Sequence, residues 1–214
     1  MKWIAIGAHL LRDDVEPLAE AVPAGDLFLS ALSVPGDQPL GDRDLLLRIA
    51  AIRGRLLDVA TFIAIRYGFT FASADDAQAK CLPHLGRWKR LLTENRGNVE
   101  MTLKVAASSP QARPDRRAFA SGADYLRALH AATQSANVDP SFREAVDETL
   151  VPLAARHRWS HRDEKSIELT MLVARERLDG VKQAGEALRR AAPHVPFLLS
   201  GPWPLEVFAD DDRQ

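Results

Sequence analysis

Two separate segments of the sequence have an apolar side chain at every second residue, and the residues between are polar except Leu172. The first spans residues 99–105 and the second spans residues 167–173. In the first, the polar positions are Glu100, Thr102 and Lys104. Because a strand places successive side chains on opposite faces, this alternation predicts a sheet with one buried face and one wetter face.

Elsewhere the apolar residues recur at intervals of three and four, which is typical of amphipathic helices. Asp42 is a candidate N-cap for one helix, and Ser73 is the candidate for the next, which Pro83 should break or bend. Ser121 and Ser141 each resemble the first residue of a capping box, and the helix after Ser141 is predicted to reach about residue 156. Further apolar runs at residues 3–8, 27–32, 65–71 and 195–199 have strand length.

The mixture of strands and amphipathic helices predicts an α+β fold. We expect two ferredoxin-like α/β sandwich subdomains, with mixed or antiparallel sheets covered by helices. Residues 108–120 are rich in proline, arginine and serine and poor in apolar side chains, which predicts a linker. The N-terminal domain would then span residues 1–107 and the C-terminal domain residues 121–214.

Composition excludes several classes of protein. The chain has 214 residues, a formal net charge of −1 and one cysteine, Cys81, so no disulfide within the chain can form. No apolar run approaches the roughly 20 residues of a membrane span, and we predict a soluble cytoplasmic protein that does not bind membranes. The balanced charge argues against nucleic acid as a partner.

No motif for catalysis or cofactor binding is found in the sequence. Glycine-rich phosphate loops and the Gly-x-Ser-x-Gly elbow of hydrolases are absent. Cys81 and His84 have the spacing of only half a structural zinc site. His157 and His161 would share a metal only on one helix, and a solvated turn is the simpler interpretation. We therefore predict no enzyme, no catalytic residue, no cofactor and no metal.

Gly201-Pro202-Trp203-Pro204 is the most distinctive segment of the chain. Two prolines fix the backbone on either side of one tryptophan, and the glycine permits a close approach. Trp203 is either a lid on a hydrophobic core or a rigid surface anchor for a partner.

Several segments, in order, resemble the gas vesicle accessory proteins GvpF and GvpL. The segment ending in Phe208 is similar to the Gly-Pro-Trp-Pro-Pro-Tyr-x-Phe ending of that family, and residues 62–71 resemble its segment Val-Leu-Pro-x-Arg-Phe-Gly-Thr-x-Phe. Residues 97–105 look like its Gly-x-x-Glu-x-x-x-Lys-Val strand. The candidate interaction or family-motif residues are Arg66, Tyr67, Gly68, Glu100, Lys104, Gly201, Pro202, Trp203, Pro204 and Phe208.

The resemblance implies a two-domain α+β protein with a role in gas vesicle assembly. Its partners would be the hydrophobic shell protein, other accessory proteins or both, and it would work without catalysis in the cytoplasm or on the vesicle. Ala64, Leu205 and Glu206 replace two prolines and a tyrosine of the family pattern. The alternative is therefore a divergent member that acts as a general protein-interaction module or ligand-binding regulator outside gas vesicles. A deep polar pocket lined by His157, His161 or Cys81 would favour the regulator.

Overall fold

A computed structural model gives the structure of the protein at residues 1–10, 19–106, 114–134, 138–163, 166–206 and 208. The chain divides into two units. Unit 1 consists of residues 1–99 and 202–214, and unit 2 of residues 100–201. Among the described residues, no helix is both long enough and apolar enough to span a membrane.

The described part of unit 1 contains a five-stranded sheet and two helices. Its elements are β1 (Lys2–His9), β2 (Glu20–Ala24), β3 (Leu27–Val34), α1 (Arg43–Val59), β4 (Ile63–Ala64), β5 (Thr70–Phe71) and α2 (Ala74–Glu94). The strand order is β2-β3-β1-β4, and β5 also pairs with β1. All of these pairings are antiparallel. The predicted single strand at 65–71 is wrong, because a turn centred on Gly68 separates β4 from β5.

Helices cover both faces of this sheet. Ile4 and Ile6 of β1 pack with α1 residues such as Ile52, whereas Ala5, between them, belongs to the apolar cluster that includes Cys81 of α2. Alternate side chains of β1 therefore enter two different cores. This explains why β1 is buried continuously and shows no apolar–polar alternation.

The predicted caps of both helices are confirmed. The Asp42 side chain accepts a hydrogen bond from the Asp44 N–H, and the Ser73 hydroxyl accepts one from the Asp76 N–H. Pro83, which was predicted to break or bend the helix, does not break it, because α2 continues through that residue. Burial of the helix on both sides of Pro83 offsets the loss of one backbone hydrogen bond.

Unit 2 is built on a four-stranded sheet. Its elements are β6 (Asn98–Ala106), α3 (Gly122–Gln134), α4 (Pro140–Thr149), β7 (Ala154–Asp163), β8 (Ser166–Ala174), α5 (Leu178–Ala191) and β9 (Phe197–Trp203). The strand order is β7-β8-β6-β9. Strand, helices, two strands, helix and strand in succession follow the βαββαβ pattern of the ferredoxin-like motif. For unit 1 that motif stays a prediction, because residues 11–18 lie outside the described residues.

The division of the chain differs from the predicted domains of residues 1–107 and 121–214. Strand β6 belongs to the second sheet because it pairs between β8 and β9, whereas residues 202–214 belong to unit 1. Within the predicted linker, residues 114–120 include a short 3-10 helix at Arg116–Ala118, and residues 108–113 lie outside the described residues. Residues 114–120 are mostly exposed and belong to unit 2, so they do not mark a boundary between the units.

The helix predicted from Ser141 to about residue 156 is shorter and begins earlier. Asp139 is its N-cap and accepts hydrogen bonds from the backbone N–H groups of Ser141 and Phe142, with Pro140 at the first helical position. The helix ends at Thr149, and β7 begins at Ala154. His157 and His161 therefore lie on a strand, and the prediction of a polar turn there is wrong.

Strands β6 and β8 are confirmed, although β8 does not alternate in burial, because Thr170 and Leu172 on its other face are also buried. Met101, Leu103 and Val105 lie in one core with β8, α4 and α5. On the other face of β6, Lys104 is exposed, as expected, but only 2% of Glu100 is accessible. The predicted wetter face is therefore wrong at Glu100.

Candidate protein-interaction sites

The turn between β4 and β5 is shaped by two of the motif residues. Gly68 has a φ of +92°, and the Phe69 N–H donates a hydrogen bond to the Arg66 carbonyl oxygen at 3.3 Å. The Tyr67 hydroxyl donates to the carbonyl oxygen of Leu40, and its ring packs against the core beneath α1. Tyr67 and Gly68 therefore fix the backbone, while the Arg66 side chain is exposed.

Gly201 lies where β9 passes close to β6. Its φ is +124°, and a Cβ at this position would be 3.0 Å from the carbonyl oxygen of Glu100. Backbone atoms cannot move aside as a side chain can, so the position requires glycine. Glu100 and Gly201 are thus brought together by packing, whereas Lys104 lies on the exposed surface.

The segment after Gly201 belongs to unit 1 and is hydrogen-bonded to the residues at β4. The Leu205 N–H donates a hydrogen bond to the Phe62 carbonyl oxygen at 3.0 Å, and Leu205 forms a parallel bridge with Ile63. Pro204 and Phe208 are buried, while Pro202 is half-buried. Trp203 exposes 47% of its surface, which favours a surface anchor over a core lid.

The two edges of the unit 2 sheet differ in chemistry. Strand β7 forms one edge and carries exposed Arg156, His157 and Arg158. Strand β9 forms the other edge and has no charged side chain, and its exposed apolar residues are Leu198 and Trp203. Charged side chains discourage the addition of another strand, so β9 is the edge that accepts one more readily.

A cleft of about 640 Å³ in unit 1 lies beside the Arg66 turn and the C-terminal segment. Three of the described residues that line it are arginines, Arg53, Arg66 and Arg87, and Glu206 is the carboxylate among them. Its apolar lining includes Trp88. The cleft therefore combines an excess of positive charge with apolar wall area.

Arg53 is held in place at this cleft. One terminal nitrogen of its guanidinium donates to the Ile65 carbonyl oxygen, while its Nε is buried without a hydrogen-bond partner among the described residues. Burial lowers the pKa of the Arg53 guanidinium, and the nearby charge of Glu206 raises it. The site therefore holds a partly desolvated cation with one donor available.

The residues considered for metal chemistry do not converge. Cys81 is fully buried in an apolar cluster, and burial raises the pKa of its thiol. His84 stacks on Trp88 instead, with ring centroids 5.3 Å apart. His157 and His161 are four residues apart on an exposed strand, a separation of about 13 Å at roughly 3.3 Å per residue. Among the described residues, no group of three or more metal-ligating side chains is assembled.

The sequence profile of one protein family, described as gas vesicle synthesis protein GvpL/GvpF, matches residues 16–209. The chain belongs to the GvpL/GvpF family. This membership supports a role in gas vesicles. A search of curated proteins finds no match.

Two solved structures share the fold of this GvpL/GvpF chain. The crystal structure of the gas vesicle protein GvpF from Anabaena sp. PCC7120 has a TM-score of 0.66 at 11% identity and covers 98% of each chain. The crystal structure of GvpF from Microcystis aeruginosa has a TM-score of 0.68 at 12% identity, with 98% of this chain and 99% of that one covered. The α+β architecture is therefore that of GvpF.

Sequence reasoning alone missed several residues of these sites in the GvpL/GvpF chain. Arg53 and Arg87 looked like ordinary polar positions of amphipathic helices, yet both line the cleft. A usable signal is their position beside the apolar stripe, since Arg53 directly follows the buried Ile52. Leu198 was also missed, because an apolar residue in a short apolar run gives no sign that it is exposed.

Proposed function

We propose that this protein is a gas vesicle accessory protein that binds the hydrophobic shell protein, other vesicle proteins or both. It assists vesicle assembly without catalysis, in the cytoplasm or at the vesicle. The observation that carries this proposal is the family match over residues 16–209. A role through binding also agrees with the surfaces found, which offer a strand edge and a cleft.

The β9 edge is the surface we assign to an apolar partner segment. A segment that pairs with this edge would gain main-chain hydrogen bonds, and apolar side chains would supply further contact. Leu198 and Trp203 expose 59% and 47% of their surfaces, so a partner that covers them removes apolar area from water. Pro202 lacks an N–H group, which limits the paired stretch to the residues before it.

The test is binding of the purified protein to its shell protein and to the other vesicle proteins encoded with it. Replacing both Leu198 and Trp203 by alanine should weaken the interaction by about tenfold or more, as for central apolar anchors. Leu126→Ala is the matched control, because Leu126 is 62% exposed on α3, in the same unit as Leu198. Equal binding by all three proteins would remove β9 from the interface.

Deletion of the gene tests the cellular role. We expect fewer or no vesicles in the deletion strain, restored by the unchanged gene and not by the L198A/W203A double variant. Floating vesicles are then separated from the supernatant, and the amount of the protein in each fraction shows whether it is on the vesicle or in the cytoplasm. Normal vesicle formation in the deletion strain, together with no binding to any vesicle protein, would overturn the proposed function.

A further inference from the structure

We propose that the unit 1 cleft binds an acidic peptide segment of a partner protein through the guanidinium groups of Arg53, Arg66 and Arg87. This inference goes beyond the proposed function, because it concerns the chemistry of the ligand and applies to any partner with such a segment. All described residues that line the cleft belong to unit 1.

The charge of the cleft selects an anionic ligand. The three arginines face one carboxylate, Glu206, among the described lining residues. Guanidinium groups bind carboxylates through paired, charge-assisted hydrogen bonds, and these are stronger than neutral ones. Arg53 lines the cleft, and its Nε is buried without a hydrogen-bond partner among the described residues, so its positive charge is only partly compensated there.

The size and walls of the cleft select a peptide over a small inorganic anion. The cleft is half open, and its volume of about 640 Å³ is in the range of sites for organic ligands and far above the space that one phosphate or chloride needs. Trp88, Ile65 and Leu205 supply apolar wall. An acidic residue flanked by apolar ones would match both parts of the lining.

The cleft is also built from rigid parts. Arg53 is fixed by its hydrogen bond to the Ile65 carbonyl oxygen, and Leu205 is fixed by its bond to Phe62. His84 stacks on Trp88 at one side. Groups that are already ordered lose little entropy when a ligand binds, so the arrangement favours binding.

The test measures fluorescence anisotropy of a labelled synthetic peptide in which glutamate alternates with leucine. A second peptide, with glutamine in place of glutamate, is the probe for non-ionic contact. We expect the glutamate peptide to bind at least about tenfold more tightly, and its binding to weaken with added salt. Equal binding of the two peptides would overturn the proposal.

Variants of the full chain locate the site. Arg66→Gln and Arg87→Gln should each weaken binding by about fivefold to tenfold, while Arg55→Gln, an exposed residue on the same helix as Arg53, should change it by less than about twofold. Glu206→Gln should strengthen binding, because it removes the carboxylate that competes with the ligand. A merely structural role of the cleft predicts no such gain. Arg66 is exposed, so its variant keeps the test valid if Arg87→Gln does not fold.

Two other occupants are distinguished by the same assay. If millimolar inorganic phosphate displaces the peptide as effectively as free glutamate peptide does, the site is one for small anions and the proposal fails. The chain also carries Asp210, Asp211 and Asp212 shortly after Glu206. If changing these three to asparagine tightens binding by about tenfold, the tail is the occupant, and the proposed partner segment is overturned. A change below about twofold supports the proposal.

Discussion

The sulfur atom of Met101 occupies the space that a side chain at Gly201 would need. A Cβ added to Gly201 would lie 2.6 Å from Met101 Sδ, and the φ of +124° at Gly201 is one that other residues rarely adopt. The glycine of the family ending therefore serves the packing of β9 on β6. Its presence in the motif reflects the fold and needs no partner to explain it.

Gly201→Ala should destabilise the protein strongly. The variant has both a strained backbone and an overlap with the Glu100 carbonyl oxygen, so we expect the free energy of unfolding to fall by about 2 kcal/mol or more. Urea denaturation followed by circular dichroism measures the change. The m-value should stay constant if only stability is affected.

Gly54→Ala is the control for this effect. Gly54 lies inside α1, is exposed, and has no atom within 4 Å of an added Cβ. Alanine there should raise the free energy of unfolding by about 0.5 to 1 kcal/mol, because it favours the helix. Similar effects of the two substitutions would contradict the close approach at Gly201.

Alanine substitutions at Trp203 and Leu205, two residues of one motif, should differ in how much they lower the free energy of unfolding. Leu205 is 1% exposed, so Leu205→Ala should lower the free energy of unfolding by about 2 to 5 kcal/mol through a lost core contact and a cavity. Trp203→Ala should lower it by no more than about 1 kcal/mol, because nearly half of the ring is exposed. Thermal unfolding of both variants measures this. A large loss for Trp203→Ala would restore the interpretation of Trp203 as a core lid.

Asp139 should contribute to stability in a pH-dependent way. The Ser141 hydroxyl, the Phe142 N–H and the Ser141 N–H all donate to this carboxylate, and these bonds, with the nearby His194, lower its pKa. Because the pKa is lowered in the folded state, the stabilisation is present above the unfolded pKa of about 3.9 and is lost as pH falls through the folded value. Asp139→Ala should therefore lower the melting temperature at neutral pH, and the difference from the unchanged protein should shrink below about pH 4.

Two controls accompany this measurement. Asp139→Asn keeps a side-chain acceptor for the helix N-terminus but does not titrate, so its melting temperature should depend less on pH in the acid range. Ser141→Ala removes one donor to Asp139 and leaves the two backbone bonds, and should cost less than Asp139→Ala. If Ser141→Ala costs more, Ser141 is the true cap, as its sequence position suggested.

The elements that sequence alone could predict are those whose burial follows a period. In residues 99–105 and 167–173, every second side chain from Met101 and from Ile167 enters one apolar core, and this period is visible in the sequence. Strand β7 has no such alternation, because it is an edge strand on which Arg156, His157, Arg158 and His161 are all exposed. The sequence therefore predicts the end of the preceding helix at its first residues and a polar turn at His157 and His161, and both predictions are wrong. The N-cap was misplaced for a related reason, since Asp139 and Ser141 are both good caps and only the proline at 140 distinguishes them.

The site residues were harder to predict than the fold. Arg53, Arg87 and Glu206 come from α1, α2 and the C-terminal segment, and each is unremarkable in its own local sequence. Only the tertiary structure brings them to one cleft. The family motifs were visible in the sequence, but most of their residues, such as Tyr67 and Pro204, are at least partly buried and serve packing. A shared motif therefore identified the family more readily than it identified a contact surface.

Cys81 should be almost inert in the folded protein. The thiol is fully buried and its pKa is raised by burial, so both access and the reactive thiolate are reduced. A thiol reagent such as dithionitrobenzoate should react slowly with the native chain and release one equivalent after denaturation, since Cys81 is its one cysteine. The matched control is the double variant Cys81→Ala and Leu82→Cys, which moves the thiol to a neighbouring position on α2 that is 66% exposed. Its labelling should be faster by at least about a hundredfold, and equal rates for the two proteins would mean that α2 opens far more readily than its burial indicates.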